Sequence, residues 1–227
     1  MRSLVRKIVV NVILMPSVLG FAITAQALTI EPTQEDSALA QMITRELERR
    51  HLASDVLFAE RKPMVGQLIL KAIDPSRSLL TQQDIHRATI TALPEQIESG
   101  NLDAVYALYG LSLTRSEERL DFWIETLNQR VGSINLTDQE ELRIRDDETP
   151  WVGDRTELKD LWRRQLENQA ISLRLADRSE EETYQALIRR YKSQKNRIEQ
   201  TRPDDIFAGV INAYASAYDP HTSYLPP

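Results

Sequence analysis

The sequence predicts an all-α fold, an irregular multi-helix domain of about six to eight helices with one short non-helical segment near 132–153. Three observations predict it. Glycine is scarce, at 7 of 227 residues, while Leu, Ala, Glu, Gln and Arg are abundant. Those are the residues that lose least on entering a helix. Alternating β-branched runs are almost absent beyond the first 27 residues, and apolar residues instead recur at spacings of three and four.

Residues 1–27 read as a cleavable export signal. Arg2, Arg6 and Lys7 form a basic start, Ile8 to Ala22 carry no charge, and Ala25-Gln26-Ala27 supplies the small-x-small pattern that predicts cleavage after Ala27. An uncleaved membrane anchor is disfavoured by Pro16 and Gly20 inside a run shorter than the ~20 apolar residues a bilayer needs. Without any cysteine, the chain has no lipid-modified Cys, no disulfide and no thiolate metal site. Nothing later approaches a transmembrane length. The mature chain is therefore expected to be soluble, with no stable membrane insertion once the signal is removed.

Residues 28–218 form the predicted helical domain. A first helix follows Pro32-Thr33, with Thr33 and Asp36 as a capping box and Leu39, Met42, Ile43 and Leu47 on one face. His51 to Lys62 reads as a break and re-entry. A second helix runs from about Pro63 to Ile73 with Val65, Leu68, Ile69 and Ala72 inward, and Asp74-Pro75-Ser76 ends it. Thr81 caps the next helix with Asp84 three residues on, and Pro94 is expected to kink or stop it. Ser99-Gly100-Asn101 is a turn signal.

The longest periodic segment spans Leu102 to about Arg130, with Val105, Tyr106, Tyr109, Leu120, Trp123 and Leu127 among its apolar stripe. Gly132 to Gly153 is the least helical stretch. Leu142 and Ile144 alternate with Arg143 as in a short extended piece, and Thr149-Pro150-Trp151 turns the chain. Three helices follow. Thr156 to Leu175 carries Leu158, Leu161, Trp162, Leu166, Ile171 and Leu175. Ser179 with Glu182 opens a helix to about Glu199, and Thr201 with Pro203 and Asp204 opens the last, which ends near Tyr218. Residues 219–227 form an extended tail.

Charge and motif content narrow the function. The formal charge is −6, falling to about −9 once the three basic residues of the signal are removed. That balance argues against nucleic acid as a partner. Arg49-Arg50 and Arg189-Arg190-Tyr191-Lys192 sit among acids at helical spacing and read as solvated faces. The three histidines, His51, His86 and His221, have no metal-ligand spacing, and no nucleophile elbow, phosphate loop or dinucleotide fingerprint occurs, so no cofactor and no metal is expected. Asp146-Asp147-Glu148 is the most obvious acidic cluster and reads as a solvated loop. Asp219-Pro220-His221-Thr222 reads as a helix stop in which His221 and Thr222 satisfy the exposed backbone. Trp123, Trp151 and Trp162 read as core anchors.

Thr149-Pro150-Trp151, the segment with Leu161-Trp162, Arg189-Arg190-Tyr191-Lys192 and the closing Asp219-Pro220-His221-Thr222-Ser223-Tyr224-Leu225-Pro226 occur in an order that resembles the tail-specific proteases. These are carboxyl-terminal-processing serine peptidases of the bacterial periplasm. Ser99-Gly100-Asn101-Leu102-Asp103 with Tyr106 and Tyr109 resembles the same domain. The closing motif carries most of the resemblance, because helix rules alone do not explain it. The resemblance marks Trp151, Trp162, Tyr191, Asp219, Pro220, His221, Thr222 and Tyr224 as structural motif positions. It implies an N-terminal helical domain that in those enzymes precedes a PDZ domain and a Ser/Lys protease domain. No catalytic position carries over. The implied role is a non-catalytic periplasmic scaffold, with a protease core or a helical-repeat lipoprotein adaptor as partner. The alternatives are a free-standing adaptor or decoy that binds a protease or its lipoprotein partner, and an unrelated helical enzyme built on buried acids.

Overall fold

The computed structural model describes residues 30–51, 55–129, 142, 145 and 148–226, with residues 55–57 given through their backbone alone. The expected signal with Ala25 and Ala27, the alternation across Arg143-Ile144 and the Asp146-Asp147 pair lie outside the described residues.

The chain is all-α, and among the described residues there is no strand. Its helices are α1 (Gln34–Arg50), α2 (Asp55–Arg61), α3 (Val65–Ile73), α4 (Gln82–Ala88), α5 (Leu93–Glu98), α6 (Asp103–Asn128), α7 (Arg155–Arg174), α8 (Glu180–Glu199) and α9 (Pro203–Tyr218). Six of these have nine residues or more and α4 is the shorter helix expected after Thr81, within the expected six to eight; α2 and α5 are short additions.

Local chemistry sets most of the starts. The hydroxyls of Thr33, Thr81 and Ser179 each accept a hydrogen bond from the backbone N–H three residues on, and the carboxylates of Asp36, Asp84 and Glu182 accept one from the cap's own N–H. α7 starts on Asp154, whose carboxylate accepts from the N–H groups of Thr156 and Glu157. α9 differs from expectation by one residue: its N-cap is Arg202, whose N–H donates to Asp205 at 3.0 Å.

Four further expectations are corrected. Pro94 opens α5 in its first turn, where a missing N–H is an orphan anyway. The preceding helix has already stopped at Thr89, which sits in the left-handed region at φ 48°. On α3 the residues turned inward are Val65, Gly66, Ile69, Leu70 and Ile73, while Ala72 is exposed. On α1 Leu39, Ile43 and Leu47 pack on the core as expected, beside the buried Ala40 and Thr44, but Met42 is 54% exposed. At the end of α7, Ala170 is buried and Leu175 is 82% exposed. On α1 and α7 most of the expected face packs inward and Met42 and Leu175 fall outside it, while on α3 Gly66, Leu70 and Ile73 take the inward places with Val65 and Ile69.

Two apolar clusters form the core. The larger gathers α1, α2, α3, α5, the first half of α6 and α9, with Tyr106, Ile69, Leu70, Leu93, Ile97 and Tyr214 fully buried. The smaller joins the second half of α6 to α7 and α8 through Leu120, Trp123, Leu158, Trp162, Leu187 and Tyr191. α8 lies along α6 and α3 along α9. The 26-residue α6 is thus common to both clusters. α6 and α9 approach closely at Gly209, where an added Cβ would lie 2.6 Å from the Tyr109 hydroxyl oxygen. Gly100 at φ +77° turns the chain between α5 and α6 against α1, where any side chain would meet the Ser37 carbonyl and Gln41.

Candidate functional site

The seam between the two clusters is polar and is built around the turn after α3. Asp74 is 1% exposed. Its Oδ1 accepts from Ser78 N–H at 2.8 Å, and its Oδ2 accepts from the N–H groups of Leu79 and Leu80 at 3.0 Å each. The indole N–H of Trp151 donates to the same Oδ2 at 3.3 Å. The Arg77 guanidinium lies 3.9 Å from the centre of the Trp151 ring. From the other cluster, Trp162 donates its indole N–H to the Ser78 carbonyl at 2.7 Å, and Arg119 donates to the Ser78 hydroxyl at 3.0 Å. Burial pulls the Arg119 guanidinium below its ordinary range, against the attraction of Asp74. Trp123 donates to the Trp162 carbonyl at 2.8 Å and packs 4.8 Å from the Tyr191 ring. The motif residues Trp151, Trp162 and Tyr191 are therefore brought together as one joint.

The other motif residues form a strap. Asp219 ends α9, and its carboxylate accepts from His221 N–H at 2.6 Å while its carbonyl accepts from Thr222 N–H at 3.0 Å. His221 and Thr222 thus bond back to Asp219, and the Tyr218 carbonyl at the helix end is reached instead by Arg61 at 3.2 Å. The Thr222 hydroxyl lies 2.9 Å from His51 Nε2 on the far side of the sequence. The backbone of Tyr224 is clamped by one side chain: its N–H donates to Asn212 Oδ1 at 2.6 Å, and its carbonyl accepts from Asn212 Nδ2 at 3.3 Å. The Tyr224 ring meets Phe207 edge-on at 5.6 Å. Because Asn212 and Phe207 lie progressively earlier in α9, the tail doubles back along that helix. Pro220 is exposed at the reversal, and the His221 side chain faces solvent.

A cavity of about 310 Å³ opens between α1, α2 and α9. Its floor is a hydrogen-bonded triad: Lys62 Nζ donates to Glu98 Oε2 at 2.7 Å, and the Tyr214 hydroxyl donates to Glu98 Oε1 at 2.7 Å. Phe58 and Tyr218 stack on its wall at 3.6 Å. Burial opposes the Lys62 charge, yet hydrogen bonds and attraction from Glu98 and Glu95 outweigh it and hold the ammonium above its ordinary range. Burial, then the Glu98 hydrogen bond, push the Tyr214 phenol up as well. A lysine that serves a nucleophile as base must give up its proton, and Lys62 is set the opposite way. The one aliphatic hydroxyl in the lining, on Thr44, is spent on the Ala40 carbonyl at 2.9 Å. Among the described residues no group of three or more His, Asp or Glu is placed to hold a metal ion.

Sequence reasoning missed Asp74, Asn212 and the Lys62–Glu98–Tyr214 triad. Asp74 read only as part of a helix stop, and the partners of the others lie 12 to 116 residues away. No short-range pattern marks them.

Known proteins resemble this arrangement in sequence. The sequence model of the family described as "Tail specific protease N-terminal domain" matches residues 43–227, which include both joint and strap. A "Tail-specific protease" of Haemophilus influenzae is 28% identical over 204 residues, covering 88% of this chain and 29% of the relative. The chain thus spans less than a third of that relative's length.

Proposed function

Since this chain belongs to the tail specific protease N-terminal domain family, we propose that it is a non-catalytic helical scaffold that takes part in proteolysis only together with a protease core. One observation carries the reading. Trp151, Trp162, Tyr191, Asp219, Thr222 and Tyr224, marked out by the resemblance, are spent on joining helices and strapping the tail, and none presents an activated nucleophile or base. The periplasm is the proposed compartment, on the strength of the basic start, apolar stretch and Ala25-Gln26-Ala27 pattern. Among the described residues no helix is long and apolar enough to cross a membrane. The purified chain should leave an unstructured protein with an apolar C-terminus intact. Turnover that persists after contaminating proteases are removed would overturn the scaffold reading.

A second reading has its own observation. An almost wholly apolar cavity of about 340 Å³ on α1 is lined by Met42, Ile43 and Leu47 beside His51. It favours a free-standing adaptor or decoy that docks a protease or its lipoprotein partner through that face. Met42→Glu should then abolish recovery of a protease or lipoprotein from periplasmic extract, and equal recovery by both chains would count against it.

A further inference from the structure

We propose that the groove between α4, the Thr89 corner and the Trp151 loop binds an extended, uncharged polypeptide segment. The groove is open and holds about 1020 Å³. That is at or above the upper end of the roughly 300–1,000 Å³ typical of small-molecule pockets, and suits a polymer. One wall is the exposed side of α4, the other the loop through Gly153, and the two are stitched by Gln82 N–H to the Val152 carbonyl at 2.9 Å.

The chemistry of the lining selects the occupant. Gln82, Gln83, Thr89, Thr91 and His86 all face the groove, and none of their side chains bonds to a described residue. Side-chain amides and hydroxyls both donate and accept, which matches the alternating N–H and C=O groups of an extended backbone. Ile85 and Ile90 place apolar ground between them. The one carboxylate in the lining, on Asp154, is already committed to the N–H groups that open α7. The groove therefore offers an incoming chain many neutral hydrogen-bonding groups.

The groove is also pre-shaped. Its corner depends on Thr89 at φ 48° and ψ 54°, a conformation unfavourable for a β-branched residue. Such a corner fixes the groove before any ligand arrives, so little ordering cost falls on binding.

The inference takes the scaffold reading for its choice of a protein-handling context, but it is tested separately. The probe is a fluorescein-labelled nonapeptide of Ala, Ser, Asn and Val with blocked ends, titrated with the full chain and followed by anisotropy. Saturable binding is expected. The double variant Gln83→Glu with Thr91→Glu, both at exposed positions, should weaken it at least tenfold. Arg45→Glu on α1 should leave it unchanged. Because the chain has no cysteine, Gln83→Cys carrying a benzophenone should crosslink the peptide at that one position. Absence of saturable binding overturns the proposal. So does equal binding by the double variant, which would put the peptide elsewhere, and so does preference for a neutral tetrasaccharide over the peptide. None of these outcomes touches the hydrolysis test of the scaffold reading.

Discussion

Asp74 accepts four hydrogen bonds while almost fully buried, and three of them come from consecutive backbone N–H groups. A carboxylate has the lone pairs to satisfy all four donors. Asp74→Ala strands those donors in the interior, and the expected cost is about 3 kcal/mol by chemical denaturation. A loss under 1 kcal/mol would show that the turn does not depend on Asp74. Tyr109 acts through pH instead. Burial pushes its phenol up to about 12, against an ordinary value near 10. Above pH 10 the unfolded chain has lost a proton that the native chain still holds, so stability falls as pH rises from about 10 to about 12. Lys62, also held above its ordinary range, adds to the loss in the same direction. Tyr109→Phe should make that alkaline fall shallower, as read from denaturation midpoints at each pH; an unchanged slope would refute the assignment.

Between α6 and α9 the spacing is set by Gly209 beneath the Tyr109 hydroxyl. Gly209→Ala brings two opposing effects. Alanine favours the helix by about 1 kcal/mol, while overpacking typically costs about 1–3 kcal/mol. The clash at 2.6 Å is with the end of a rigid ring whose Cζ and Cε1 also lie 3.3 and 3.5 Å from the added methyl, so a net loss of about 1 kcal/mol is expected. Tyr109→Phe in the same chain should restore most of it by removing the oxygen. A more stable Gly209→Ala variant would mean that the helices separate freely. The helices themselves were legible in the sequence wherever the signal was local. Thr33 with Asp36, Thr81 with Asp84 and Ser179 with Glu182 each complete a cap within three residues, so residue type and spacing suffice. The placement of Ala72, Met42 and Leu175 depends on the neighbouring helix, and that of Pro94 on the earlier stop at Thr89, so none of the four is legible locally. The candidate joint was half legible: Trp151, Trp162 and Tyr191 stood out as large aromatics in a family-like order. Ser78 and Asp74, which connect them, have no pattern of their own. The groove was invisible, since it arises from a loop and a helix about 70 residues apart.

At the level of the molecule, two apolar clusters share α6 and are joined across the Asp74–Ser78 turn. Two of the three tryptophans, Trp123 and Trp162, lie in the smaller cluster and Trp151 packs on the larger, so fluorescence is weighted toward the smaller cluster, while far-UV dichroism reports on all helices. The two signals should fall together in the unaltered chain. In Asp74→Ala they should separate, with one cluster melting first; coincident curves in that variant would mean that α6 alone couples the halves. The strap has a mechanical consequence. With Tyr224 clamped by Asn212 and Thr222 tied to His51, tension applied at Leu225 enters the domain through the flank of α9. It reaches the tip at Tyr218 only after those two ties have opened in turn. A pull on the tail therefore peels bonds one at a time, as a zipper does, and loads the end of α9 at Tyr218 only when the last tie gives way.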